Sequence, residues 1–383
     1  MTNNENKNPE RRDAHPYFIW DSIMSTSKVL EECLSDEVLN QVNHVAENCK
    51  SRGVDNIYLL GTESSSFAAM AEKFAFEAIA NLPAEAYLTT EFFSYTPLRI
   101  NNKTAVFFHS HSGSTLGDLE TVSKVRSMGG YTVGVTNIFN SKLAETVDDV
   151  IIGSGRPKIE LPATWTYASA IFRMLQLVAE LGKEPKAGRF LQDLVRIPNI
   201  LEEISLIYAK RAAGIVNEIK DCSAFVLIGS GPNFSTAEEA GLSLTQSSGV
   251  SAQAYMLENY LHGPIQALRP EMGVILIAAP GPMQNRIIDV AKACKIIGAK
   301  VVILAPKSIA SEESCDVLIE FPADIPELLT PLVYILPLWQ IAYYYSLLGK
   351  TRCHTDRLSM DSPEFKKAFA LLMAGDNKFV KED

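Results

Sequence analysis

The sequence contains no CxxC pair: its six cysteines, Cys33, Cys49, Cys222, Cys294, Cys315 and Cys353, are scattered singly. This argues against a zinc ribbon or finger and fits a reducing compartment better than a disulfide framework. Basic excess is also missing, with 35 Lys and Arg against 45 Asp and Glu and a net charge of −10. A nucleic acid or an anionic membrane surface is therefore not expected as the main partner, although backbone N–H groups and hydroxyls can still hold small anions. The polar stretch Met1–Arg12 lacks the apolar segment of a secretory signal, so a cytoplasmic protein is expected. Neither a metal nor a cofactor is expected. One apolar stretch, Leu328–Leu348, has the length of a membrane span. Pro331, Pro337 and Gln340 interrupt it and no second span accompanies it, so it reads as a buried core or subunit-contact helix.

What is present is length and apolar content: 383 residues, 47% hydrophobic, enough for two domains. An internal repeat organises them. Ile57–Gly61 and Phe225–Gly229 are apolar runs ending in glycine, displaced by 229 − 61 = 168 positions. The same offset superposes Ala86-Tyr87 on Ala254-Tyr255, Val106–Phe108 on Val274–Leu276, Gly113 on Gly281, Lys124 on Lys292 and Gly130 on Gly298. A constant offset over about seventy positions indicates two copies of one domain.

In the first copy, strands are expected at Ile57–Leu60, Ala86–Leu88, Ala105–His109, Thr132–Val135 and Val150–Ile152, with helices near Ser66–Ala80 and Thr115–Ser127. Apolar strands alternating with helices predict an α/β fold in which each copy is a three-layer α/β/α sandwich around a mostly parallel, doubly wound sheet. Ligands of such folds sit at the carboxyl ends of the strands. Helices near Asp21–Cys33 and Asp36–Arg52 precede the first copy, and a helical connection broken by Pro185 and Pro198 separates the two. The expected organisation is a tail with helices (1–52), a first domain (53–165), the connection (166–220), a second domain (221–350) and a tail (351–383) holding His354 and Lys366-Lys367.

After the strand ending at His109 comes Ser110-His111-Ser112-Gly113-Ser114-Thr115. A Gly/Ser turn leading into a helix offers free N–H groups and the positive end of the helix dipole, and the four hydroxyls add donors for a tetrahedral oxyanion. Capping the helix needs one such residue, not four. At the same places the second copy has Ala278, Pro280, Pro282 and Met283. The fold alone does not demand the hydroxyls, so anion binding is expected in the first domain only. Ser64 and Ser65, after the turn at Gly61, can approach the same anion. The second copy contributes Leu257-Glu258-Asn259-Tyr260-Leu261-His262-Gly263-Pro264, in which His262 stands opposite Ser94. A histidine beside a Gly-Pro turn with a carboxylate nearby suits acid–base chemistry at neutral pH, or simply a hydrogen-bonded helix end.

These residues resemble the tandem sugar isomerase (SIS) family, as in the isomerase half of glucosamine-6-phosphate synthase and the fructosamine-6-phosphate deglycases. The resemblance runs from about Asn56 to Asp356. Ser110-x-Ser112-Gly113-x-Thr115 is similar to the family's phosphate loop, and His262-Gly263-Pro264 to its His-Gly-Pro. It implies phosphate contacts from Ser65, Ser110, His111, Ser112 and Thr115, with Ser64 and Ser114 beside them. It also implies that His262 opens the sugar ring in a neighbouring subunit's site, hence a homodimer or higher homo-oligomer. The family's catalytic glutamate, sixteen residues before that histidine, is here Gln246, and an amide cannot act as the base. Where the family has a second glutamate, three before the histidine, stands Asn259; Glu258 is adjacent, and Glu239 matches another family glutamate. The synthases' C-terminal lysine falls at Met360, and Glu160–Thr166 matches a family motif loosely. Glu160, Gln246, Asn259 and His354 join the substrate-binding candidates.

The expected chemistry is aldose–ketose isomerisation of a phosphosugar or deglycation of a ketosamine 6-phosphate through an enediol(ate), with His262 opening the ring and Glu258 as the preferred base, ahead of Glu239. A sulfonated sugar as substrate and a non-catalytic sugar-phosphate sensor are the alternatives.

Overall fold

The computed structural model describes residues 12, 14–115, 117–154, 162–311, 313–348 and 367. Runs of branched and aromatic residues form two five-stranded sheets. The first holds β1 (Asn56–Gly61), β2 (Ala84–Leu88), β3 (Thr104–His109), β4 (Tyr131–Thr136) and β5 (Asp149–Ile152), and the second β6 (Ala224–Gly229), β7 (Ser251–Met256), β8 (Met272–Ile277), β9 (Lys300–Pro306) and β10 (Val317–Phe321). Their orders are β2-β1-β3-β4-β5 and β7-β6-β8-β9-β10, so both sheets share one topology.

Every neighbouring pair is parallel. Leu59 pairs with Ala86 and Phe107, and Leu227 pairs with Ala254 and Ile275, each partner 168 positions on (227 − 59). All of β3 and β4 is buried, the pattern of parallel strands covered on both faces. The edge strand β7 is half exposed.

The helices differ from expectation in places that have local causes. The stretch expected as one helix from Asp21 is two, Phe18–Met24 and Thr26–Glu32, parted at Ser25, whose hydroxyl donates to the Ser22 carbonyl. Asp36–Arg52 forms as expected. Pro185 separates Trp165–Leu181 from Lys186–Leu194, but Pro198 does not break the chain. It lies in the first turn of Ile197–Ile219, where a missing N–H costs nothing. The helix expected from Thr115 starts at Asp118, because Gly117 (φ +83°) continues the preceding loop.

The long apolar stretch forms helix Thr330–Ser346, buried at every position except Tyr344. It packs against Ile197–Ile219, Asn233–Ser248 and Phe18–Met24. Its apolarity is thus satisfied inside one chain, which removes the argument from this helix to a subunit contact. Among the described residues no helix is long and apolar enough to cross a membrane. One apolar cluster runs through both sheets, including Leu59, Phe107, Leu227, Ile275 and Trp339.

Candidate functional site

The strand order of the first sheet reverses at β1 and β3, which are neighbours, so the loops leaving them flank the crevice where doubly wound folds bind ligands. After β1 the chain turns so tightly that a Cβ on Gly61 would lie 2.5 Å from the Ser65 carbonyl carbon. Glu63 adopts φ +52°, a strained value for a residue with a side chain. That turn directs Ser64 and Ser65, both half-buried, into the first turn of helix Ser64–Ala75.

After β3, Ser110 is buried and Gly113 (φ +60°) lies so close to Ser141 that a Cβ would meet its Oγ at 2.1 Å. The Gly113 N–H donates to the Ser110 carbonyl (2.9 Å), and the Leu143 N–H donates to the Gly113 carbonyl (3.0 Å). The loop hydroxyls pair up: Ser110 Oγ with Thr115 Oγ1 at 2.7 Å, and Ser112 Oγ with Ser114 Oγ at 2.8 Å. Each pair can redirect its protons to an acceptor placed between them.

His111 is oriented from behind. The Ser154 N–H donates to Asn137 Oδ1 (2.8 Å), which turns the Asn137 amide nitrogen toward His111 Nδ1 at 3.0 Å. Nδ1 then accepts, and the ring carries its proton on Nε2. The ring lies edge-on to Trp165, centroids 6.4 Å apart. A small cavity of about 30 Å³, open to solvent, is lined by Ser64, Ser65, Ser110, His111, Thr166 and Tyr167, among others.

Beneath the cavity lies a buried pair that the sequence reading missed. His109 Nε2 is 2.9 Å from Glu72 Oε2, and Nδ1 is 3.1 Å from the Leu60 carbonyl. With Nδ1–H donating to that carbonyl, one proton lies between Nε2 and the carboxylate. Burial, partly opposed by His109, raises the pKa of Glu72. Burial disfavours the imidazolium, but Glu72 and the backbone carbonyls of Leu60 and Phe107 together outweigh it, so the pKa of His109 is raised too. Asp118 is a second omission: burial pushes its carboxyl up to about 7, against the hydroxyls of Ser110, Thr89 and Thr115. His109 had been visible only as a strand end and Glu72 as one polar residue on an alanine-rich helix. Nothing in the sequence pairs them.

The remaining candidates stand apart from the loop. Glu239 is buried on helix Asn233–Ser248, which packs on helix Ser64–Ala75, and its charge adds to burial in raising the Tyr167 phenol. Gln246, on the same helix, is half-buried. Glu258, Asn259 and His262 are exposed beside the edge strand β7. His262 Nε2 is 3.8 Å from Glu258 Oε2, and Arg286 Nε donates to Glu258 Oε1 at 3.0 Å, which lowers the pKa of Glu258. Glu160, His354 and Met360 lie outside the described residues. No group of three or more His, Cys, Asp or Glu gathers as a metal site among the described residues.

The loop after β1, the loop after β3 and all but the last residue of helix Trp165–Leu181 fall within residues 51–180, which match the SIS domain family. This part of the chain is an SIS domain. The SIS-bearing chain is 26% identical over 348 residues to glutamine–fructose-6-phosphate aminotransferase (isomerizing) of Thermus thermophilus, and 26% identical over 339 residues to that of Methanothermobacter thermautotrophicus. Each match covers 88% of this chain and 57% or 55% of the relative, so the chain spans little more than half the length of these proteins. In fold it is similar to the C-terminal domain of glucosamine-fructose-6-phosphate aminotransferase from Francisella tularensis, with a TM-score of 0.81, 16% identity and coverage of 90% of this chain and 99% of that one. A glucosamine-6-phosphate deaminase from Thermotoga maritima matches with a TM-score of 0.71, 18% identity and coverage of 87% and 95%.

Proposed function

We propose that the protein binds a phosphorylated sugar at the Ser110–Thr115 loop and acts on it as an aldose–ketose isomerase or ketosamine-6-phosphate deglycase, with both sheets belonging to SIS domains in tandem. The observation that carries the reading is the loop itself: paired hydroxyls around a left-handed glycine, at the switch point and beside a cavity. The similarity to aminotransferases and deaminases of hexosamine phosphates supports the sugar class.

In this reading the phosphate is anchored by Ser65, Ser110, Ser112 and Thr115, and the sugar carbons lie toward Thr166 and Tyr167, which line the cavity. Proton transfer between C1 and C2 then needs a base. Glu239 is on the helix of Gln246, two turns away, whereas Glu258 is exposed and held ionised by Arg286. Within one chain Glu239 is therefore the stronger candidate. His262 lines no part of this chain's cavity, so a role in ring opening requires a second copy to bring it there.

Gln246 favours a second reading, a sugar-phosphate sensor without turnover. Calorimetry with fructose 6-phosphate and glucosamine 6-phosphate, alongside an isomerisation and deamination assay, separates the two. Binding with turnover supports the enzyme and binding without it the sensor. Unaltered affinity in Ser112→Ala/Thr115→Ala contradicts both.

A further inference from the structure

Asp118 opens the helix that follows the loop, just after the left-handed Gly117. The residue is left only 1% exposed. The hydroxyls of Ser110, Thr89 and Thr115 lie around it, and two of these belong to the oxyanion loop. Because Ser110 Oγ and Thr115 Oγ1 are 2.7 Å apart, a ligand oxygen bonded to either stands one hydroxyl away from the carboxyl. Oδ2 is buried and has no hydrogen-bond partner among the described residues. A buried carboxylate oxygen without a donor is costly, whereas a carboxylic O–H beside an acceptor is not.

Nothing nearby neutralises this group. Its own helix carries Glu120, Lys124 and Arg126, helix Thr89–Ser94 carries Glu91, the adjacent helix Lys142–Thr146 carries Lys142 and Glu145, and the strand end and loop carry His109 and His111. Lys124 donates to the Phe93 carbonyl, His109 faces Glu72 and His111 faces Asn137. Arg126 pairs with Asp148, and the charge that acts most on Asp118, Glu120, repels it.

We propose that Asp118 makes oxyanion binding at this loop proton-coupled: its carboxyl takes up a proton when a dianionic phosphate group enters, and donates that proton into the Ser110–Thr115 cluster. Two negative groups one hydroxyl apart in a buried site cannot both stay ionised without a large penalty, and protonating one removes the repulsion and adds a donor. A singly charged sulfonate meets about half the repulsion. The same carboxyl thus sets a charge preference, turning the loop against dianions and toward monoanions as pH rises. With the free carboxyl titrating at about 7, that change falls in the physiological range. The inference rests on the loop being the oxyanion site, as proposed above.

The test is calorimetry of the full chain with fructose 6-phosphate and with its 6-sulfonate analogue between pH 6 and 9, in buffers of different ionisation enthalpy. Phosphate esters are dianionic throughout the upper part of that range, so a slope there comes from the protein. Fructose 6-phosphate affinity should fall up to roughly tenfold per pH unit above 7, with uptake of about one proton near pH 8. The sulfonate should show a shallower slope, and Asp118→Asn should abolish both slope and uptake. Phosphate binding that is flat in pH and independent of buffer in the wild-type protein overturns the proposal and leaves the oxyanion site standing. A slope that persists in Asp118→Asn does the same. Absence of binding by either ligand at pH 6 overturns the oxyanion site and the coupling together.

Discussion

The carboxyl of Glu327 lies against Gly281: a Cβ on that glycine would stand 2.4 Å from Glu327 Cδ and 2.5 Å from each carboxyl oxygen. Gly231 is also close, its Cβ position 3.6 Å from Oε1. These glycines belong to the loops leaving β8 and β6, which are neighbours, so the switch-point crevice of the second sheet is filled by the chain's own carboxyl. The loop hydroxyls of the first sheet are replaced there by Ala278, Pro280, Pro282 and Met283. One phosphosugar should therefore bind per chain in calorimetry, and a stoichiometry of two would contradict this. Gly281→Ala should destabilise the fold by about 1–3 kcal/mol in denaturant titration without altering phosphosugar affinity.

Gly113→Ala should act on the other crevice. The new methyl would both strain a backbone at φ +60° and collide with Ser141, whose hydroxyl caps helix Lys142–Thr146. We expect phosphosugar affinity to fall at least tenfold and the protein to lose about 1–3 kcal/mol of stability. Unchanged affinity would show that the loop geometry does not serve the anion.

The Glu72–His109 pair makes a non-additive prediction. Glu72→Gln leaves a buried imidazole without its counter-ion and should cost about 3–5 kcal/mol, whereas Glu72→Leu/His109→Leu should recover much of that loss. Both groups have raised pKa values, so above the unfolded carboxylate range the folded state binds more protons than the unfolded one. Their stabilisation is present at mildly acidic pH and lost as pH rises through the folded pKa of His109. Denaturant titrations from pH 5.5 to 9 should show stability falling with pH in the wild-type protein and a flatter curve in the double variant.

The base is tested by paired amide substitutions. If Glu239 abstracts the proton, Glu239→Gln should lower turnover by about 10²–10⁴ while Glu258→Gln changes it little. The reverse pattern would place the base beside His262, and full activity in both variants would exclude either.

Strand positions were legible because the apolar runs are short and bounded by glycine, proline or polar residues, and each of the five strands expected in the first sheet lies within an observed one. The start of the helix after the loop was not, because serine and threonine fit a first turn as well as they fit a loop, and only the backbone shows Gly117 in the left-handed region. The hydroxyl loop could be read from its composition and from the contrast with Ala278–Met283. Glu72–His109, Asp118 and Glu327 could not. Each acquires its role from a partner brought near by strand order, and residue spacing carries no trace of that. His262 and Glu258 were legible as neighbours four residues apart, and the fold sets them 3.8 Å apart beside the edge strand β7.

Helix Thr330–Ser346 carries a consequence for how the protein can come apart. It is covered by the connecting helix Ile197–Ile219 and by helix Asn233–Ser248, and the apolar cluster it joins reaches β1 as well as β6. Because both sheets share that cluster, their slowest-exchanging amides are expected to open together in one global event. A gene fragment ending between the sheets would accordingly leave part of this shared apolar cluster uncovered.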